Sequence, residues 1–202
     1  RAKKKKVRVV PTVMWSDTNA IHDVLSDPAK RAIHIAGIVK MVEDNDFDGV
    51  DIDYEGKKAD TRVHYTAFLK ELNEALSAEG TDKLLMCTIE ARMPLDSRFV
   101  GTPPAGIEYA NDLKEINKHC DRVRIMTYDQ QTADQKLNAL RPGPYFPVAD
   151  TLWTEKVVNL TTKDIPKEKI FIGVATYGRE LDVTVSPGGK FTYKNIGAFN
   201  PG

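Results

Sequence analysis

Short apolar runs alternate along this chain with longer stretches whose apolar positions recur every three or four residues. Five of the short runs are Val7 to Trp15 (VRVVPTVMW), Phe47 to Glu55, Leu84 to Glu90 (LLMCTIE), Arg122 to Asp129 (RVRIMTYD) and Ile170 to Thr176 (IFIGVAT). Each is rich in β-branched or large apolar residues and bounded by polar or Gly/Pro segments, as strands covered on both faces are. Helical patterns fill the gaps. Asp27 as N-cap and Pro28 at the first helical position open one, with Ile35, Ile38, Val39 and Val42 on its apolar face. Tyr65, Phe68, Leu69, Leu72 and Leu76 mark a second between Asp60 and Gly80. Ile107, Ala110, Leu113 and Ile116 mark a third, and Ala149 to Leu160, with Trp153 and Val157, a fourth. This alternation predicts an α/β fold with parallel strands joined by right-handed crossovers.

The rhythm changes after Thr176. Val183 to Tyr193 (VTVSPGGKFTY) is two period-two runs around Pro187-Gly188-Gly189, a hairpin signal foreign to the repeating unit. Residues 1–180 therefore read as the α/β body, and residues 181–202 as the start of an inserted module or long loop.

Chemistry concentrates in Asp44 to Glu55 (DNDFDGVDIDYE), six acidic side chains in twelve residues. The letters satisfy the spacing of a calcium-binding EF-hand loop. That loop joins two helices and turns sharply in its middle. Here Val50, Ile52 and Tyr54 alternate with Asp51, Asp53 and Glu55, as a strand requires. Bulky Phe47 would also fall in the turn. The strand reading puts the three acidic residues on one face, with neighbours about 6.6 Å apart at Cα, and Val50, Ile52 and Tyr54 against helices. Like charges that close push their pKa values apart, so one carboxyl can keep a proton near neutral pH, as a general acid must. A solvated acidic edge strand would explain the charge but not the apolar opposite face.

FDGVDIDYE is similar to the signature D-G-x-D-x-D-x-E of glycoside hydrolase family 18, the chitinase family, carried on the fourth strand of a (β/α)8 TIM barrel. RIMTYD resembles that family's sixth-strand M-x-Y-D motif and IGVATYGRE its seventh-strand motif ending in Y-G-R. The hairpin falls where many members insert a small α+β module. The resemblance implies a partial TIM barrel, units three to seven, and a glycosidase of chitinase or N-acetylglucosaminidase type that needs no cofactor. Glu55 would be the general acid and Asp53 would stabilise the substrate's 2-acetamido group as its carbonyl oxygen attacks the anomeric carbon. Asp51 would share a proton or hydrogen bond with Asp53, and Tyr128 would donate to the acetamido oxygen. Asp129, Met126, Tyr177 and Arg179 would contact the sugar or line the cleft. Substrates would be N-acetylglucosamine-containing polysaccharides or oligosaccharides: chitin, chito-oligosaccharides, peptidoglycan glycan strands or N-glycan cores. That class implies the extracellular space or cell envelope. The competing reading is a catalytically silent, sugar-binding relative, and the presence of Glu55 with both aspartates favours the enzyme.

The chain departs from the family pattern in three places. The first visible strand reads PTVMW rather than S-x-G-G, Gln130 and Gln131 follow MTYD, and TIEAR brings Glu90 and Arg92. Glu90 would line the cleft or pair with Arg92, and pairing is favoured because a lone extra carboxylate adds like-charge cost. These departures point towards spore-cortex and cell-wall hydrolases.

Lys plus Arg and Asp plus Glu each number 29, without the basic excess of a nucleic-acid-binding surface. The basic run Lys3 to Lys6 reads as a solvated end. No apolar run approaches the ~20 residues of a membrane span, and no signal-peptide pattern appears. Cys87 and Cys120 read as buried thiols, and His22, His34, His64 and His119 as surface or helix-face residues. Gly188-Gly189-Lys190 lacks the spacing of a phosphate-binding loop. Trp15 is open between core packing and stacking on a sugar. A complete barrel runs to ~250 residues, so five units in this chain suggest part of a longer protein, lacking units one, two and eight.

Overall fold

The strongest helix signal in the sequence, Asp27-Pro28, does what its chemistry dictates. In the computed structural model, which describes residues 5–78 and 83–199, Asp27 Oδ1 accepts from the amides of Ala29 and Lys30 at 2.9 and 3.2 Å. It thereby caps α2 (Pro28–Asp44). Lys3 and Lys4 of the basic run, and Gly80 at the end of the second helical pattern, lie outside the described residues.

Five strands, β1 (Thr12–Trp15), β2 (Gly49–Tyr54), β3 (Leu84–Glu90), β4 (Arg122–Met126) and β5 (Ile170–Ile172), form one sheet in sequential order. β1 pairs with β2, and β2 with β3, in parallel; Thr12 stands opposite Asp51, Met14 opposite Asp53 and Trp15 opposite Tyr54. The remaining helices are α1 (Thr18–Ser26), α3 (Arg62–Leu76), α4 (Leu95–Arg98), α5 (Leu113–His119), α6 (Gln135–Ala139) and α7 (Thr151–Thr161). This is the α/β class the alternation predicts, in the strand order that consecutive units of a (β/α)8 barrel take. Two compact units divide the chain. The first comprises Arg1–Glu90, Gly106–Ile125 and Thr162–Phe171; the second comprises Ala91–Ala105, Met126–Thr161 and Ile172–Gly202.

In the first unit, Val50, Ile52 and Tyr54 of β2 and Leu85, Cys87 and Ile89 of β3 are buried. The Tyr54 ring stacks on Phe68 of α3 at 5.5 Å and also meets Tyr65 and His34. The acidic stretch is therefore a strand with its apolar side on helices, not a loop between two helices. Gly49 is required by close approach: a Cβ there would lie 2.1 Å from the Leu84 carbonyl oxygen.

Several expectations are corrected. The strands at the two sides of the sheet are not covered on both faces, since Met14 is 68% exposed and Phe171 and Ile172 are 50% and 48% exposed. β1 starts at Thr12 rather than Val7, because Pro11 has no N–H to give the ladder. Val9 nevertheless bonds Asp48 through its amide at 2.7 Å and its carbonyl at 2.9 Å. α5 starts at Leu113, not Ile107, because Asp112 caps it through the amides of Lys114 and Glu115. α1 was not foreseen; Asp17 caps it, and Ile21 and Leu25, one turn apart, bury its inner face.

Cys87 and Cys120 are not thiols. They form a disulfide with Cα atoms 6.1 Å apart, because the turn after α5 returns the chain beside β3. Of the two readings of His34, helix face is the one the structure carries: on α2 its ring stacks on Phe68 at 5.8 Å, its Nε2 bonds the Tyr54 hydroxyl, and burial lowers its pKa.

In the second unit, the Pro-Gly-Gly hairpin is present. β6 (Gly178–Val185) and β7 (Phe191–Phe199) pair antiparallel, with Val185 opposite Phe191 and an irregularity at Glu180/Leu181. The turn closes through Ser186 N to Lys190 O at 3.0 Å and Gly189 N to Ser186 O at 2.8 Å. Nearby helices are tied by buried Asp134, which accepts from Ser97 Oγ at 3.1 Å and Lys156 Nζ at 2.6 Å while capping α6 through Leu137 N.

Candidate active site

Alternation along β2 turns Asp51 and Asp53 away from the helices that bury Val50, Ile52 and Tyr54. Asp51 is fully buried, and β1, β3 and β4 all donate to it. Thr12 Oγ1 on β1 lies 2.9 Å from its Oδ2, Thr88 Oγ1 on β3 lies 3.0 and 2.9 Å from its two oxygens, and Arg124 Nη1 on β4 lies 2.8 Å from Oδ2. Thr88 and Arg124 escaped the sequence reading. Their signal was alternation, which gives them the face opposite Cys87, Ile89, Val123 and Ile125 on their own strands.

Asp53 is half-buried, and its Oδ1 has no hydrogen-bond partner among the described residues. Burial pushes its pKa up to about 6, with further upward pressure from Glu55, Asp51 and Glu90 and a downward pull from Lys57. A carboxyl poised near neutrality beside a second carboxyl is the equipment of proton transfer. Glu55 follows β2 directly, its amide donating to Trp15 O at 2.9 Å.

Glu90 ends β3 with its carboxylate occupied. Oε1 accepts from Gly56 N at 3.0 Å and Oε2 from Asn111 Nδ2 at 2.7 Å, and the ammonium of Lys57 is 3.9 Å away. Trp15 stands on the helix side, edge-on to Tyr54 at 5.6 Å and 5.6 Å from His34. Of its two readings, core packing is the one these contacts carry. The residue that β1 presents beside Asp53 is Met14.

The other sequence-selected residues belong to the second unit. Met126 ends β4. Arg179 donates from Nε and Nη2 to Asp129 Oδ1 at 3.0 and 2.5 Å, and the rings of Tyr128 and Tyr177 meet edge to face at 6.4 Å. Burial and the neighbouring Asp129 raise the Tyr177 hydroxyl pKa. Asp129 adopts φ +53°, a left-handed conformation that helps explain why the strand stops at Met126. Among the described residues, no group of three or more His, Cys, Asp or Glu side chains is arranged to hold a metal ion.

The family described as Glycosyl hydrolases family 18 matches residues 1–199. The glycosylase YvbX of Bacillus subtilis, itself uncharacterised, is 25% identical over 190 residues, covering 90% of this chain and 50% of its own length. Chitinase A1 of Niallia circulans is 27% identical over 192 residues, covering 83% of this chain and 26% of its own. The spore cortex-lytic enzyme SleL of Bacillus megaterium, a crystal structure, superposes with a TM-score of 0.72 at 22% identity, over 99% of this chain and 42% of that one. The chain spans between about a quarter and a half of the length of the curated relatives it matches.

Proposed function

Because the chain belongs to glycosyl hydrolases family 18, we propose that it serves a glycosidase that cleaves β-1,4 bonds next to 2-acetamido sugars, with retention of anomeric configuration. The observation that carries this reading is the placement of Asp53 on β2 and of Glu55 directly after it, near enough for its charge to act on Asp53, whose pKa is raised to about 6. A two-carboxylate glycosidase needs its second carboxylate across the bond from the acid. Residues two apart on a strand lie on the same side, so the attacking group must come from elsewhere, and the substrate's own acetamide supplies it. Glu55 protonates the glycosidic oxygen and later activates water. Asp53, once ionised, accepts the acetamide N–H and offsets the positive charge that grows as the ring closes.

Asp51 is held by Arg124, Thr12 and Thr88 and supplies a fixed negative charge behind Asp53. In the second unit, the family pattern assigns sugar contacts to Tyr128, Asp129, Tyr177 and Arg179, and the β6–β7 hairpin to an inserted module. Chitin-type or peptidoglycan glycans fit this chemistry, and the relatives above are named as a chitinase and a spore cortex-lytic enzyme. The Cys87–Cys120 disulfide supports work outside the cytosol, at the cell envelope or beyond, where such bonds persist.

Glu55→Gln tests the reading. The amide keeps the shape and cannot give up a proton, so turnover of a chromogenic N-acetylglucosamine oligomer should fall at least about 100-fold, while binding measured by calorimetry persists. Unchanged turnover would remove Glu55 from the role of acid.

A further inference from the structure

Directly after Glu55 the chain carries Gly56 and Lys57, which belong to none of the motifs considered above. Gly56 turns at φ +66°, and its peptide groups are held on both sides. Its amide donates to Glu90 Oε1 at 3.0 Å, and its carbonyl accepts from Thr18 Oγ1 at 2.8 Å. Lys57 then folds inward. Its side chain is fully buried, its Nζ bonds the Tyr54 carbonyl, sits 4.5 Å from the centre of the Tyr65 ring and is 3.9 Å from Glu90 Oε2. Asn111 Nδ2 holds the second Glu90 oxygen at 2.7 Å.

Burying an ammonium costs several kcal/mol unless charge partners compensate, and a methionine would fill the same slot without that cost. The charge therefore calls for an explanation beyond packing. Burial lowers its pKa, and three carboxyls, those of Glu90, Asp53 and Glu55 in that order, work against burial to favour its charged form. We propose that Lys57, clamped by Glu90, is a positioning residue that fixes the turn carrying Glu55 and supplies the positive charge against which Asp53 ionises. The inference rests on the reading of Asp53 and Glu55 as the reacting pair.

The groups around Asp53 make the sign definite. β2 itself contributes Asp51, β3 contributes Glu90, β1 contributes neutral Met14, and the segment directly after β2 contributes Glu55 and Lys57; Arg124 on β4 is committed to Asp51. Behind the strand, burial raises the phenols of Tyr54 and Tyr65, so they stay neutral, and it lowers His34. Among these groups Lys57 pulls the Asp53 pKa down and Glu90 pushes it up.

The test is a carboxyl carbon-13 NMR titration of Asp53 in the wild-type protein, Lys57→Met and Glu90→Gln. It reads the coupling whether or not the protein turns over substrate. The Asp53 midpoint should rise by about half a pH unit or more in Lys57→Met and fall in Glu90→Gln, since loss of a nearby opposite or like charge shifts a carboxyl in those directions. The acid limb of kcat on a chromogenic N-acetylglucosamine oligomer should move with it, with KM changing less. A midpoint unmoved in Lys57→Met, or moved in the same direction in both variants, would overturn the assignment and leave Lys57 a packing residue. Should Lys57→Met not fold, a fall in Glu90→Gln supports the proposal and a rise or no change defeats it. Shifted midpoints without any hydrolysis would uphold the coupling and count against the glycosidase reading alone.

Discussion

Arg124 Nη1 stands 2.8 Å from Asp51 Oδ2, although the two residues are on β4 and β2 with β3 between them. The ion pair bridges three strands, with Thr88 of β3 donating to the same carboxylate. Removing one partner of a buried pair costs about 3–5 kcal/mol. Arg124 is 41% exposed, so water can replace part of its contribution, and Arg124→Met should destabilise by about 1–3 kcal/mol. Urea denaturation measures this; a loss below about 0.5 kcal/mol, the range of an ordinary surface substitution, would show that Asp51 does not depend on Arg124.

Gly49→Ala should be harmful out of proportion to its size. The added methyl meets the Leu84 carbonyl oxygen at 2.1 Å, and that residue is tied to the adjacent peptide by Leu84 N to Asp48 O at 2.9 Å. Neither strand can yield without breaking the β2–β3 ladder, so a loss of about 1–3 kcal/mol or more is expected, as for overpacking in a core. A melting temperature equal to wild type would contradict the close approach.

Reduction of Cys87–Cys120 should weaken the fold. The bond closes a loop of 33 residues, for which the chain-entropy account gives about 3–4 kcal/mol. Thermal melts with and without reductant measure the difference. Two reactive thiols in the native, unreduced protein under denaturant would show that the bond is not formed.

Stability should also carry the mark of Asp53. Its folded pKa lies at about 6 against an ordinary aspartate value of 3.8, so between those values the folded state binds more proton than the unfolded chain. Its contribution is then most favourable at or below pH 4 and is lost as pH rises through about 6. Asp53→Asn has no charge to bury, so the stability difference between wild type and variant should change across pH 4 to 6, wild type losing ground. Parallel profiles over that window would place Asp53 in water.

Much of this was legible in the residues. The Asp27-Pro28 cap, the β2 alternation and the Pro-Gly-Gly hairpin are local signals, and each has its structural counterpart. What sequence could not supply depends on which strands become neighbours. Thr12, Thr88 and Arg124 meet Asp51 only because β1 and β3 flank β2 and β4 lies next beyond β3, over sequence separations of 39, 37 and 73. Cys87 and Cys120 are unremarkable until α5 and β3 lie side by side. Lys57 carries no signal in the sequence, because burial of a lysine leaves no trace in local pattern. Coverage of β1 and β5 was overstated for the same reason: apolar letters give no strand's place in a sheet.

In the proposed reaction Asp53 serves the substrate's acetamide as it attacks the anomeric carbon. Early-time proton NMR of a chito-oligosaccharide digest, recorded before mutarotation, tests it most directly. Hydrolysis through a cyclised acetamide gives β-anomer product, the configuration of the bond cleaved. An α-anomer as the first product would mean direct attack by water, and neither Asp53 nor the acetamide could then hold the role given to it.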